Sequence, residues 1–458
     1  MIENDAFKLL LINLFHLNPD DIANILCTTF NKMMVLVVTL ADKHQACPYC
    51  GFTAPKIKEY VTKEITHSAL TTQKCIIKYR ARRYKCPCCG KTYYEFNPFV
   101  FKSQKISILT VHNILKDLKD FNETFTSVAR RYHVSPTSVS TIFDNHVDIG
   151  RNPLPEIINF DEVYAFKSEK SKYVCVLLDF KKQIPVDVLP NRKKEYLLNY
   201  FQKIPLEERK KVKYACSDMY EVYRDVVHKV FPSCCMLLDY FHLSQDFHRK
   251  MNEVRIKVMK GYKDNKASDE YYLLKKFNWL LFKNPEDEDK YGRLFDVERE
   301  RKYNSHFKSY MNYYDLRKKL LEINNDLTIC YSLKLELVDF YSKSTIDNAQ
   351  VNLEHLIRSF IDTNIEEMIK FSNNLINWKQ EIINSFTIVG TEYKVEADKG
   401  QVVVCNKKVN NAIIENRNKI IKCIKNNANG YTNWSRFRNR VMYVLDPNAT
   451  FSLEPREK

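Results

Sequence analysis

Apolar residues recur every second position in some stretches of this chain and every third or fourth in others, and the change of period outlines its architecture. Near the start, Phe7, Leu10, Leu11, Leu14 and Leu17 fall at helical spacing, so residues 1 to about 30 read as partly helical. Met33 to Ala41 reads as a strand, and residues 31–100 as short strands arranged around cysteine pairs. Residues 105–147 are helical throughout. From Pro153 the period shifts: apolar runs at Ile157–Phe160, Tyr173–Phe180, Val186–Leu189, Val212–Cys216 and Cys234–Leu238 predict strands, with helices at about 193–204 and 220–230 between the later ones. Residues 244–385 are charged, Tyr-rich and helical, and 409–445 form a basic helix, a turn and another helix. The pattern predicts a multidomain α/β protein. Its parts are an N-terminal cysteine-bound region (1–100), a helical module (101–150) and an α/β domain (151–458) with a helical insertion at about 244–400.

A length of 458 residues is enough for about three domains. With 45% hydrophobic and 28% charged residues the chain reads as globular rather than disordered. A net charge of +16 points to a polyanionic partner, and double-stranded DNA is the first candidate. Only 8 glycines argue against Gly-rich phosphate loops. No run approaches the ~20 apolar residues of a membrane span, and Met1–Asp5 lacks the basic start of a secretory signal. A cytoplasmic protein without a membrane partner is therefore expected. In that compartment the 14 cysteines point to metal rather than disulfides.

Cys47-Pro48-Tyr49-Cys50-Gly51 and Cys86-Pro87-Cys88-Cys89-Gly90 are matched Cys-x-x-Cys turns, each followed by a glycine that lets the backbone curl around one ion. Cys47, Cys50, Cys86 and Cys89 are the expected ligands of a structural Zn²⁺, since four thiolates close a tetrahedral site. Arg80, Arg82 and Arg83, just before the second turn, are candidate phosphate contacts. Phe125–Ile142 fits a helix-turn-helix, with Ser135 as N-cap and Pro136 at the first helical position. Its second helix offers Thr137, Ser138, Ser140 and Thr141 to a major groove, with Arg130 and Arg131 near phosphate.

Asp161 and Asp218 each end a predicted strand, and Glu415 lies on the helix that follows the insertion. On a wheel, Ile413, Ile414, Ile420, Ile421 and Ile424 form an apolar stripe, and Glu415 faces away from it with Asn411, Asn418, Lys419 and Lys422. Three hard oxygen ligands in this order suit a pair of Mg²⁺ or Mn²⁺ ions for phosphoryl displacement, with Lys419 and Lys422 on the DNA backbone. Glu392 and Glu396 are rivals for the third acid. Asp239 also ends a strand and reads as a support for the metal ligands, a DNA contact or a ligand itself. Its neighbour His242 reads equally as a phosphate-orienting group or a core histidine. Glu162 should point to the opposite strand face. Arg436 and Arg438 add candidate phosphate contacts, and Trp434 and Phe437 read as packing groups.

Asn159-Phe160-Asp161-Glu162, Cys216-Ser217-Asp218-Met219-Tyr220, Leu238-Asp239-Tyr240-Phe241-His242 and the stretch from Glu415 to Trp434 resemble the ISL-three family of insertion-sequence transposases. The likeness takes in the cysteine turns and covers nearly the whole chain. It implies an RNase H-like mixed sheet interrupted by a helical insertion, and a catalytic triad of Asp161, Asp218 and Glu415. It also implies a DDE enzyme that binds terminal inverted repeats and cuts and transfers DNA strands, acting as a homodimer on DNA. A non-catalytic DNA-binding regulator, or an inactive element copy, is the alternative, and it makes the acids dispensable.

Overall fold

The structure, a computed structural model, describes residues 2–43, 45–70, 72–101, 104–166, 171–395 and 402–456. The N-terminal region opens with α1 (Ile2–Leu14) and continues with β1 (Ile22–Phe30), β2 (Met33–Leu40), β3 (Lys56–Thr66), β4 (Cys75–Lys85) and β5 (Thr92–Tyr94). Its sheet runs β1-β2-β4-β3, with β5 on β4. The helix stops sooner than its apolar spacing suggested. Asn31 and Lys32 take left-handed φ values of 48° and 60°, closing a tight hairpin that draws residues 22–30 into β1. Leu36, Ile65, Ile77 and Tyr79 pack against Ile12 and Phe15 of α1 in this sheet's core.

Three short helices follow: α2 (Ile108–Asp117), α3 (Phe125–Arg131) and α4 (Pro136–His146). Ser135 caps α4 by accepting from the Ser138 amide at 3.0 Å, and Pro136 occupies the first turn. His133 makes the turn between α3 and α4 at φ 54°. Val111, Ile114, Val128, Val139 and Phe143 form the shared core.

The next unit comprises β6 (Ile157–Val163), β7 (Val174–Asp179), β8 (Pro185–Leu189), α5 (Lys194–Gln202), α6 (Leu206–Arg209), β9 (Tyr214–Ser217), α7 (Glu221–Val230) and β10 (Cys235–Leu238). The order is β10-β9-β6-β7-β8. Strands β6, β7 and β8 are antiparallel, while β9 and β10 run parallel to β6. One face carries Ile158, Phe160, Ala215 and Met236 beneath Leu197 and Phe201 of α5 and Tyr223, Val226 and Val230 of α7.

After β10 come α8 (Tyr240–Lys260), α9 (Asp269–Lys276), the small hairpins β11 (Glu288–Asp289) with β12 (Gly292–Arg293) and β13 (Lys302–Asn304) with β14 (Ser309–Met311), then α10 (Tyr313–Glu322), α11 (Asn325–Lys343), α12 (Ala349–Ile361), α13 (Glu366–Asn377) and α14 (Lys379–Asn384). They bury a core of their own around Phe247, Leu274, Leu337, Phe360 and Phe371. Past the helical stretch read at 244–385, the tail of the insertion forms a hairpin, β15 (Ile388–Val395) with β16 (Val402–Lys408). The β-branched content of Ile388-Val389 and Val402-Val403-Val404 accounts for the strands. Finally α15 (Ala412–Asn427) and α16 (Trp434–Leu445) lie on the second face of the five-stranded sheet, where Ile414, Ile421, Ile424, Phe437 and Val441 meet Val163, Val174, Val176 and Val188. Among the described residues no helix is long and apolar enough to cross a membrane.

Candidate active site and metal centre

Strand register places the acids. Asn159 on β6 lies opposite Cys216 on β9, and Leu238 on β10 lies opposite Ser217. Extending both ladders past their last pairs sets Asp161 beside Asp218, and Asp218 beside Asp239. Residues in register on parallel strands point to the same face, with neighbouring strands about 4.8 Å apart. Three aspartates therefore stand in a row, Asp161 within β6, which runs on to Val163 rather than stopping at Phe160 as the apolar run predicted, and Asp218 and Asp239 just past the ends of β9 and β10. Asp239 belongs to that row as fully as the two acids singled out from the sequence.

Helix α15 is pinned across the same face at two points. The Asn411 amide donates to Asp239 Oδ1 at 3.2 Å, and Asn418 Nδ2 donates to Asp161 Oδ2 at 2.7 Å. Asn159 Nδ2 adds bonds to Asn411 Oδ1 at 2.7 Å and to the Asn410 carbonyl at 2.8 Å. Positions 411, 415 and 418 follow one helical row, so Glu415 sits between the anchors. This corrects the wheel: Asn411 and Asn418 are buried beside Ile414, Ile421 and Ile424, whereas Ile413 and Ile420 are only half-buried. The cause is the sheet end itself, whose Asn159 and Asp161 offer polar partners and pull the asparagine row inward. Lys419 and Lys422 stay exposed.

His242, in the first turn of α8, brings Nε2 to 3.9 Å from Asp239 Oδ2 and 3.8 Å from Glu415 Oε1. The ligand atoms of Asp239, His242 and Glu415 all lie within 4.8 Å of one another. Asp161, 9% exposed, is pushed up to about 7, first by burial and then by the charge of Asp218. Asp218 is raised to about 6 by burial and by the charge of Glu162. Burial also raises Asp239. Glu162 points to the other face, as expected, where it pairs with Arg192 and accepts from the Tyr223 hydroxyl at 3.2 Å.

Among the described residues eleven buried side-chain polar atoms lack a hydrogen-bond partner, and six of them belong here: Asn159 Oδ1, Asp218 Oδ1, Asp239 Oδ2, His242 Nε2, Asn411 Nδ2 and Asn418 Oδ1. Buried polar atoms are normally paired. Four unpaired oxygens and an imidazole nitrogen beside buried carboxyls fit a divalent cation. Of the rival acids, Glu396 lies outside the described residues, and Glu392 lies in β15, its side chain outside them.

Without metal these carboxyls favour their protonated forms in the fold. Their contribution to stability is present below the ordinary carboxylate pKa and is lost as pH rises through about 6 to 7. Asp161→Asn is therefore expected to stabilise the magnesium-free protein at pH 8 by roughly 2–4 kcal/mol and to change little at pH 4. Thermal melts at the two pH values check this; a variant that melts lower than wild type at pH 8 contradicts it.

In the N-terminal region Cys47, Cys50, Cys86 and Cys89 converge, with Cys47 and Cys89 sulfurs 3.7 Å apart and those of Cys50 and Cys86 3.5 Å apart. Gly51 and Gly90 both adopt φ 73°, and their amides bond back to the carbonyls of Cys47 and Cys86. Backbone amides lower the Cys86 thiol, while the neighbouring sulfurs raise those of Cys50 and Cys89, as expected of thiols crowded together. Cys88 is exposed and outside the set. Four sulfurs at this spacing fit a structural Zn²⁺.

The expected DNA-contacting side chains divide in two. Arg80, Arg130, Thr137 and Thr141 are exposed, while Ser138 and Ser140 are half-buried, with Ser138 Oγ 2.8 Å from Ser135 Oγ. Others already hold partners within the protein. Arg82 is held by Glu95 at 2.7 Å and by the Leu40 carbonyl, and Arg83 pairs with Glu59. Arg131 is shared by Asp117 and Glu123. Arg436 binds Asp144, and Arg438 binds Asp187 and the Ile149 carbonyl. A guanidinium with a carboxylate already in reach has little left for phosphate. Phe437 is buried against Phe166 and Trp434, so these aromatics do pack.

A family model described as Transposase, that of the ISL-three group, matches residues 158–397, more than half of the chain. The match takes in Asp161, Asp218, Asp239 and His242 and stops before Glu415. The transposase for insertion sequence element IS1001 of Bordetella parapertussis is 19% identical over 409 residues, which cover 89% of this chain and 90% of that protein.

Proposed function

This chain belongs to the ISL-three family of transposases, and from that premise we propose that it cuts and rejoins DNA at the ends of an insertion sequence through a DDE site of Asp161, Asp218 and Glu415. The supporting observation is the placement of Asp161 on β6 beside Asp218, which follows the parallel strand β9, with Glu415 hung over them by the Asn411–Asp239 and Asn418–Asp161 bonds. Three antiparallel strands leading into two parallel ones, with a helix laid across the end, suit an RNase H-like core.

The unpaired oxygens of this site suit two Mg²⁺ or Mn²⁺ ions, which when bound activate an attacking hydroxyl and stabilise the leaving oxygen of a phosphodiester. The protein's own part is placement. Strand ends fix Asp161 and Asp218, and the asparagine anchors fix the height of Glu415. Lys419 and Lys422, exposed on the same helix, hold the DNA backbone at the site. Helices α3 and α4 act as a helix-turn-helix, with Thr137 and Thr141 toward the major groove and Arg130 on phosphate. The four-cysteine module, closed by zinc, presents Arg80 beside it. Arg131, Arg436 and Arg438 instead stiffen this reader and weld it to the core, because their partners lie on α2, α4 and β8. Two element ends are brought together by a homodimer formed on DNA, in the cytoplasm at the nucleoid.

The test is a supercoiled plasmid carrying the element's two ends, incubated with the full chain and Mg²⁺ or Mn²⁺. The proposal expects breaks at the ends that require both the metal and the end sequence. Tight, end-specific binding with no breakage under any divalent ion overturns it in favour of a DNA-binding regulator or an inactive copy.

A further inference from the structure

Beside the proposed acids the structure holds a group of different chemistry. Asp239 occupies the N-cap position of α8, yet its side chain makes no capping bond to that helix. One carboxylate oxygen is engaged by the Asn411 amide. The other, in a residue only 3% exposed, has no partner. Three residues on, the first turn of α8 returns His242 to the same side, and its Nε2 is equally buried and unpartnered. Glu415 completes the triangle from α15.

A structural Asp–His pair closes to hydrogen-bond length, about 2.7–3.2 Å. Here the gaps are 3.9 Å and 3.8 Å, and neither Nε2 nor Oδ2 has a hydrogen-bond partner, although the Phe241 and His242 amides also lie near the Asp239 carboxyl. Ligand atoms about 2.1 Å from a shared ion sit roughly 3–3.5 Å apart, so the two histidine edges need only a modest contraction, and the third edge starts within 4.8 Å. The nitrogen decides which ion. Mg²⁺ keeps to oxygen donors and its own waters; imidazole suits first-row ions such as Zn²⁺, Fe²⁺ and Ni²⁺ best, and Mn²⁺, though mainly an oxygen-binding ion, is the softer of the two ions compared here and accepts one nitrogen beside two carboxylates more readily than Mg²⁺ does.

We propose that Asp239, His242 and Glu415 form a mixed oxygen–nitrogen cation site beside the Asp161–Asp218 pair, and that this site takes Mn²⁺ in preference to Mg²⁺. It deepens the reading above and shares Glu415 with it. The Asp161–Asp218 end of the site, built from oxygens alone, accepts either ion. The chain thus carries two unlike positions along one row of acids.

The experiment uses the full zinc-loaded chain with Mn²⁺ alone as the probe and ¹⁵N-labelled histidine. Pulsed electron paramagnetic resonance of the wild type is expected to show histidine nitrogen coupled to bound Mn²⁺. His242→Gln is expected to lose that coupling and to bind Mn²⁺ at this position about tenfold more weakly or worse, while Mg²⁺ affinity, read by competition, changes far less. Asp161→Asn is expected to keep the coupling. A wild-type protein with no histidine coupling overturns the proposal on its own, whether or not the variant folds, and so does a His242→Gln protein that keeps both coupling and affinity. The two readings separate cleanly: coupling without DNA breakage overturns the strand-cutting reading and leaves this site standing, and Glu415-dependent breakage without coupling does the reverse.

Discussion

Asp218→Asn is expected to lower metal-dependent breakage of element ends by a factor on the order of 10³ or more while end binding stays within about twofold. Asp218 has a buried oxygen without a partner and a pKa raised to about 6. It is therefore a carboxylate held in place at a cost in stability, and the amide keeps its shape while removing the charge a cation needs. The same reasoning says that the variant folds: relieving a desolvated charge stabilises the metal-free protein. Loss of cleavage in a protein that melts no lower than wild type can then be assigned to chemistry rather than unfolding. In the proposed reading, end binding falls to other elements, the exposed positions of α3, α4 and β4. Gel-shift and plasmid cleavage on the same preparation check both halves. A variant that still cuts at a tenth of the wild-type rate, or that binds poorly, contradicts the assignment.

The second large effect belongs to the cysteine module. Cys86→Ser is expected to take bound zinc from about one ion per chain to near zero, because a closed four-thiolate site that loses one ligand loses most of its affinity. Little else holds this end of the sheet together. The buried cluster around the ligands consists of Cys47, Tyr84, Cys86 and Tyr93, with Cys89 packed against it. Without the ion, β5 and the two cysteine turns should open to protease, and end affinity should fall by about tenfold or more. Unfolding of the five-stranded sheet and its helices, which bury separate cores, should not move. Cys88→Ser is the matched control, since Cys88 is exposed and outside the set. Zinc stoichiometry by mass spectrometry and limited proteolysis read the outcome. Equal zinc loss in both variants would mean that the ligand set is wrong.

Sequence period was informative where local preference and tertiary demand agree. All five strands of the central sheet, and helices α5 and α7, fall where alternation and helical spacing put them. It was misleading where a turn decided the outcome: left-handed Asn31 and Lys32 make β1 a strand, and the hairpin of β15 and β16 at the tail of the insertion went unread. Asp161, Asp218 and Asp239 stood out as candidates because a carboxylate closing an apolar run is conspicuous, although β6 runs two residues past Asp161. Their company was not. The inward asparagine row of α15 depends on Asn159 and Asp161, more than 250 positions away in the chain. Arg438 likewise meets Asp187 only after 251 intervening steps along the sequence. A charged side chain shows its sign in a sequence but not its partner: Arg82, Arg131, Arg436 and Arg438, read as candidate phosphate contacts, each have a carboxylate partner in the fold.

The central claim is that Glu415 completes the site begun by Asp161 and Asp218, and it stands on the residue that lies beyond the matched family region. Comparing Glu415→Gln with Glu392→Gln in the plasmid assay tests it most directly. The account predicts that Glu415→Gln binds the ends and makes no metal-dependent breaks, while Glu392→Gln cuts like the wild type. Cleavage that survives Glu415→Gln and disappears with Glu392→Gln would contradict it.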